Sequence, residues 1–372
     1  MTGQVPVLLC LAVLAIFGTV PKLLEESGTP AVPWIQLPFI SHNPLILRCP
    51  GGQRSGRIYW QYINGSVLTA GKARTIAGPW AARYYRGPLK ELKLRSRVHW
   101  DQLEIRPAWV GDSGLYVCKD GGRTLACYQV EVQDATRLHV SHASLGQGVL
   151  AKLTVPQLAQ LFTSWGPWQA CDRCGAPGER KRLGYCYARA ASTPEGLAVP
   201  CGLLGVELPH HGPELRVEVC QVNCPLLPRP AHPPTQTRLA RPGQSTELAC
   251  LGASIHVPVS WQRDGVPLTR LGLLRRRGNA AHSLDPLTGG ATYHIARVAA
   301  SDRGLYRCLV NGRQASAFRL DLPAVPHRRR FDLGRLLAVA RALVATFAAL
   351  FVSSAILELV GCSSDSTHHL CY

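Results

Sequence analysis

The spelling Cys-x10-Trp, followed farther on by Asp-x-Gly-x-Tyr-x-Cys, occurs twice in this chain and constrains its fold more than any other feature. The first copy runs Cys49, Trp60, then Asp112-Ser113-Gly114-Leu115-Tyr116-Val117-Cys118. The second runs Cys250, Trp261, then Asp302-Arg303-Gly304-Leu305-Tyr306-Arg307-Cys308. The flanking stretches alternate apolar and polar residues, as half-buried strands do. "PLILRCP" puts Leu45, Leu47 and Cys49 on one face, and "WDQLEIRPAW" does the same with Leu103 and Ile105. The chain holds 14 cysteines, mostly in spaced pairs, behind an apolar run at Val5–Val20. That run reads as a signal peptide over residues 1–18, and secretory entry suits a disulfide framework.

These residues resemble the immunoglobulin superfamily twice over. In that fold a tyrosine two residues before the second cysteine forms a corner, and the tryptophan packs on the inter-sheet disulfide. The resemblance implies bridges Cys49–Cys118 and Cys250–Cys308, with Trp60, Tyr116, Trp261 and Tyr306 in the two cores. Each bridge closes a loop worth about 4 kcal/mol in the chain-entropy model. The 69-residue gap of the first pair suits a variable-type domain with extra strands at 33–134, and the 58-residue gap of the second an intermediate or constant-like domain at 236–322. Gly111-Asp112-Ser113-Gly114 also spells the surroundings of the nucleophilic serine of trypsin-like proteases. That reading needs a histidine base and an orienting acid in matching settings. Here Leu115 and Tyr116 follow the glycine, His42 and His99 have ordinary neighbours, and the second copy dispenses with the serine. No catalytic set emerges.

Between the two domains, residues 160–224 carry Cys171, Cys174, Cys186, Cys201, Cys220 and Cys224. Trp165-x-x-Trp168-x-x-Cys171, then Cys174-Gly175, then Arg180 and Arg182 before Cys186, is similar to a thrombospondin type 1 repeat. The resemblance implies tryptophans and arginines stacked by cation–π contacts, three disulfides in place of a core, and C-mannosylation of Trp165. It departs from the family at Cys-Asp-Arg-Cys, which lacks the Ser or Thr that takes O-linked fucose, and in a longer Arg-to-Cys186 spacing. A zinc reading of the cysteine pairs loses to disulfides behind a signal peptide, so no metal or other cofactor is expected. "PLLPRPAHPPT" continues as a Pro-rich linker over 225–235.

Leu336–Leu357 is apolar but for Arg341 and is long enough to span a bilayer. A polar tail, 358–372, follows, with Cys362 a membrane-proximal acylation candidate. The expected architecture is mostly β: two immunoglobulin-like β-sandwiches, a small disulfide-rich block between them, and one C-terminal transmembrane helix. The expected topology is single-pass type I at the cell surface, although the basic His327–Arg330 stretch before the span runs against the usual charge bias. After the ten paired cysteines, Cys127 is left over on the luminal side. It has three fates: an inter-chain bridge in a homodimer, a bond elsewhere in the chain, or a buried free thiol. Asn64-Gly65-Ser66 is the one N-glycosylation sequon. The formal charge of +18 favours acidic partners such as sulfated or sialylated glycans; nucleic acid is not expected behind a signal peptide.

The order of parts as a whole resembles the "family with sequence similarity 187", Ig-like single-pass membrane proteins. The chain therefore reads as a non-enzymatic surface recognition or adhesion protein with an unknown protein ligand. The alternative is a structural subunit of a membrane receptor complex, held by Arg341 in the span and by the cysteine-rich block.

Overall fold

The computed structural model describes residues 32–51, 57–65, 71–81, 84–191, 197–224, 233–275, 281–323 and 333–364. The expected signal peptide, most of the expected Pro-rich linker, the tail beyond Ser364 and the side chain of Cys362 lie outside the described residues. Two units separate, residues 1–322 and 323–372.

In the first unit, residues 34–133 form β1 (Trp34–Ile40), β2 (Leu45–Arg48), β3 (Ile58–Ile63), β4 (Arg74–Ala77), β5 (Ser96–His99), β6 (Gln102–Ile105), β7 (Gly114–Asp120) and β8 (Arg123–Gln133). They build two sheets, ordered β1-β8-β7-β3-β4 and β2-β6-β5. The alternation that marks these strands in the sequence turns Leu45, Leu47, Trp60, Leu103, Ile105, Tyr116 and Val130 into one core around Cys49 and Cys118. Each such side chain contributes about 1.5–3 kcal/mol through removal from water. The long stretch between Cys49 and Cys118 holds a helix, α1 (Pro88–Arg95), where an additional strand was expected. Lys-Glu-Leu-Lys-Leu-Arg consists of straight-chain helix formers without β-branching, and proline opens the first turn, so local preference favours the helix.

A six-stranded sheet follows, made of β9 (His139–His142), β10 (Leu153–Val155), β11 (Ala159–Trp165), β12 (Gly178–Ala190), β13 (Val199–Pro200) and β14 (Glu214–Cys220). The path is β10-β11-β12-β14-β9, with β13 on β12. The sheet therefore begins about twenty residues before the cysteine-rich stretch, because β9 pairs in parallel with β14. The third module contains β15 (Thr235–Leu239), β16 (Thr246–Ala249), β17 (Val259–Arg263), β18 (Val266–Leu268), α2 (Arg270–Arg275), β19 (His282–Leu284), β20 (Thr292–Ile295), β21 (Gly304–Val310) and β22 (Arg313–Asp321). Its orders, β15-β22-β21-β17-β18 and β16-β20-β19, repeat the plan of the first sandwich strand for strand. Trp261, Tyr293, Tyr306 and Phe318 fill its core around Cys250 and Cys308.

The three modules of this unit share buried groups. Ile40 of the first sandwich, Ala135 in the turn after β8, Leu183, Leu215 and Val217 of the middle sheet, and Ile255 of the second sandwich form one apolar cluster. Asn43, in the β1–β2 turn, donates to the carbonyl of Leu287 at 2.7 Å and accepts from the amide of Ile255 at 2.8 Å. The second unit is described by α3 (Leu333–Ser364), one helix long and apolar enough to cross a membrane, with mean hydropathy 2.1 over Leu336–Glu358.

Candidate functional site

The stretch at residues 111–118 is a structural corner. Asp112 is buried and accepts two hydrogen bonds from the Arg95 guanidinium, at 2.6 and 2.7 Å, and a third from the amide of Trp109 at 2.7 Å. The Tyr116 hydroxyl donates to the Asp112 carbonyl at 2.6 Å. Burial, with Asp112 beside it, holds the Tyr116 phenol well above its ordinary pKa. Ser113 Oγ donates to Val110 O at 2.8 Å and accepts from the amide of Val132 at 2.9 Å, so its hydroxyl is spent on the backbone of its own turn and of β8. The second sandwich repeats the corner, with Tyr306 donating to Asp302 O at 2.9 Å; burial pushes the Tyr306 hydroxyl up to about 12. There His282 occupies the carboxylate side of the corner, 3.2 Å from Asp302. Arg95 was not legible as a partner in the sequence, because nothing separates it from the neighbouring bases. Its guanidinium also lies 3.7 Å from the centroid of Trp109.

The outer face of β3-β7-β8 is apolar and covered. Ile63, Leu115, Val117 and Cys127 are buried there, with Trp34 packed against them. Cys127 is free and 0% exposed, and burial pushes its thiol up to about 11. Of the three fates that cysteine parity leaves to Cys127, this arrangement matches the buried free thiol, packed with Ile63, Leu115 and Val117. Farther along the face, the Gln133 amide donates to Cys186 O at 2.9 Å and accepts from Cys186 N at 3.0 Å. Glu131 accepts from the amide of Gly202 at 2.7 Å. The middle module thus occupies part of the sheet face that a lone variable-type domain would present.

In the middle module the bridges are Cys171–Cys220, Cys174–Cys224 and Cys186–Cys201, while the sandwiches hold Cys49–Cys118 and Cys250–Cys308. Cys171, Asp172 and Cys220 lie close enough to suit a metal, but the two sulfurs are bonded to each other. Thiolate ligands are required for such a site. Arg182 lies 4.5 Å from the Trp165 ring and 4.8 Å from Trp168, and Arg180 lies 5.1 Å from Trp168. The rings and guanidinium groups alternate, as the thrombospondin resemblance implies. Trp165 is half-buried at the end of β11.

Beneath this ladder the middle module meets the second sandwich through charge. Lys181 is buried and donates to Gly289 O at 3.0 Å. Burial, with Arg270 nearby, lowers its pKa well below the ordinary value. Glu179 accepts from the amides of Arg270 and Leu271 at 3.0 and 2.9 Å. Gly289, at φ +65°, admits no side chain, since a Cβ there would lie 2.8 Å from both Ile255 Cα and Lys181 Nζ. A cavity of about 20 Å³ lined by Asp172, Glu179, Lys181 and Arg270 is large enough for one water.

Exposed aromatic rings stand on the edge of the first sandwich, where Tyr84 is 89%, Trp100 77% and Trp80 53% exposed. Asn64 is exposed in the turn after β3.

Two disulfide-stapled sandwiches of one strand plan, each closed by a tyrosine corner, define an immunoglobulin-type protein. Its homologues include the Ig-like V-type domain-containing protein FAM187A of Mus musculus, 29% identical over 261 residues, and that of Rattus norvegicus, 30% identical over 258. These matches cover 61% of this chain and 62% and 61% of the relatives, so the chain spans about three fifths of their length. No family model matches the chain. Among solved structures, the mouse nectin-like molecule 4 ectodomain (Ig1–Ig3) is 11% identical, with 78% of this chain and 98% of that one covered and a TM-score of 0.20. Domains 3–5 of Drosophila OTK are 14% identical, with 77% and 94% covered and a TM-score of 0.18.

Proposed function

We propose that the chain is a single-pass type I membrane glycoprotein that acts, without catalysis, as a cell-surface recognition or adhesion protein through its first sandwich. The observation that carries this reading is the exposed aromatic edge of that sandwich, on a chain that also holds a helix able to span a membrane. Large aromatic side chains are over-represented where proteins bind partners and carry much of the energy there. The covered face of β3-β7-β8 directs recognition toward this edge and the adjoining loops. Asn64 takes the N-linked glycan beside the covered face, and Trp165 the C-linked mannose. Cells displaying the full chain are expected to bind other cells or coated ligands, and Tyr84→Ala with Trp100→Ala to reduce that binding at equal surface level. Binding at the level of untransfected cells across a broad cell panel overturns the reading.

A second reading rests on Arg341, the one charged residue within Leu336–Leu357. An intramembrane arginine favours an acidic partner helix. Arg341→Leu is then expected to lose a co-purifying membrane subunit, and retention of every co-purifying protein rejects it.

A further inference from the structure

The ligand class of the proposed recognition edge is written in its charge, and this inference rests on the recognition reading above. Sheet order makes β4 the last strand of one sheet and β5 the last strand of the other. Both border the same side of the sandwich, where α1 packs against them. From Lys72 to Arg97 the sequence carries eight bases (Lys72, Arg74, Arg83, Arg86, Lys90, Lys93, Arg95, Arg97) against one acid, Glu91. The fold spends Arg95 internally on Asp112. It turns Lys72, Arg74, Arg86, Lys90 and Arg97 to solvent, and among the described residues none of these five is in an ion pair. The nearest carboxylate across the sheet, Glu104 opposite Arg97, is already taken by Arg106 at 2.7 Å and His99 at 3.5 Å.

We propose that this edge binds a linear sulfated polysaccharide. Its bases are spread over β4, α1, β5 and the segments leading into them, which suits a chain of repeated anions better than a single phosphate. Unpaired like charges on one edge raise the local potential and draw a polyanion to it. Exposed rings stand among them: Trp80 follows β4, Tyr84 precedes α1, and Trp100 follows β5. Such faces stack on the apolar faces of sugar rings, an interaction that a protein acid or a lipid phosphate does not offer. α1 and the turn before it are tied to the sandwich before binding. Leu92 of α1 is buried in the core, and the Tyr85 hydroxyl donates to Thr75 O at 2.8 Å, so little entropy is lost in presenting the charges. Anionic phospholipid is concentrated on the cytoplasmic leaflet, opposite the side this domain faces in a type I protein.

The test uses the full chain in detergent on immobilised heparin, with fully desulfated heparin as the neutral control. Wild type is expected to be retained at physiological salt on heparin alone. A variant carrying Lys72→Ala, Arg74→Ala, Arg86→Ala and Lys90→Ala should bind about tenfold or more weakly. A matched variant of the second sandwich, Arg238→Ala, Arg241→Ala, Arg313→Ala and Arg319→Ala, removes the same charge from exposed positions and should bind as wild type. Equal loss in both variants means general charge attraction and overturns the site; so does equal retention on desulfated heparin. Should the quadruple variant misfold, Arg86→Glu and Lys90→Glu singly carry the same test, and wild-type retention in both overturns the proposal. Capture by phosphatidylserine vesicles with the same edge dependence, and none by heparin, transfers the edge to lipid and overturns it. Full adhesion to cells lacking sulfated glycans overturns the polysaccharide but leaves recognition standing. Heparin binding through the edge without adhesion to any cell supports the polysaccharide site while ending the recognition reading.

Discussion

Asp112 answers to three partners at once, and its position explains why residues 111–118 tolerate no simple reading from letters alone. Its carboxylate neutralises Arg95, its side chain caps the Trp109 amide, and its carbonyl anchors Tyr116. Removing one member of a buried pair leaves the other charged and unpaired, which typically costs about 3–5 kcal/mol. Asp112→Ala is therefore expected to lower unfolding stability by about that amount, as denaturant titration would show. Ser113→Ala removes only a hydroxyl staple to β8 and should cost about 1 kcal/mol. Comparable losses in the two variants would refute this ranking. Cys127 illustrates what residue counting conveys: parity left it over with its fate open, while its place packed with Trp34 and Ile63 depends on strand register. A buried thiol with a raised pKa is a poor nucleophile. Native protein at pH 8 should resist alkylation at Cys127 and label there only after unfolding, and Cys127→Ala should migrate as wild type on non-reducing gels.

At the level of elements, the strands on either side of each disulfide were legible because alternation and the Cys–Trp–Tyr spacing are local signals. The helix α1 was not, since the long cysteine gap invited a strand and the residues filling it had to be judged by propensity. The tryptophan–arginine ladder was legible from the spacing of Trp165, Trp168, Arg180 and Arg182, because strand pairing places Gly184 opposite Trp165 and brings the two stretches side by side. The order of its rungs and the three bridges around it were not, for six cysteines permit many pairings. Arg182 lies between two rings. Cation–π contacts contribute about 0.5–2 kcal/mol each. Arg182→Ala is accordingly expected to destabilise the middle module by about 1–3 kcal/mol, with a change in tryptophan fluorescence at the same denaturant midpoint. Lysine should restore only part of the loss, because it lacks the planar group that stacks. Full rescue by lysine would assign the effect to charge alone.

Across the whole first unit, no local signal announces that three modules share one junction. Asn43 and Ile255 are 212 residues apart, and their hydrogen bond exists only once both sandwiches and the sheet between them have formed. His256 sits at that junction with its Nε2 enclosed and without a hydrogen-bond partner in the structure. Burial lowers its pKa to about 4, the nearby Lys181 adds to the shift, and the Pro44 carbonyl opposes it. Arg270 lies beyond Lys181, while Asp172 and Glu179 face them from the middle module. Burial likewise lowers His142 and His211. An unfolded histidine binds its proton near pH 6.5. Between about pH 6.5 and 4 the unfolded chain therefore holds a proton at position 256 that the folded chain does not, and stability falls as the pH drops. The full contribution of this one residue is about 3 kcal/mol. It is present above pH 6.5 and gone once the pH has passed below the folded value of about 4. Denaturant midpoints measured from pH 7.5 to 4 should decline in wild type, and His256→Gln should flatten part of that decline. Parallel curves would show that the junction does not exclude the charged ring. A flattened curve would mean that acid first loosens the contact between the β1–β2 turn and the second sandwich, because that contact encloses the ring.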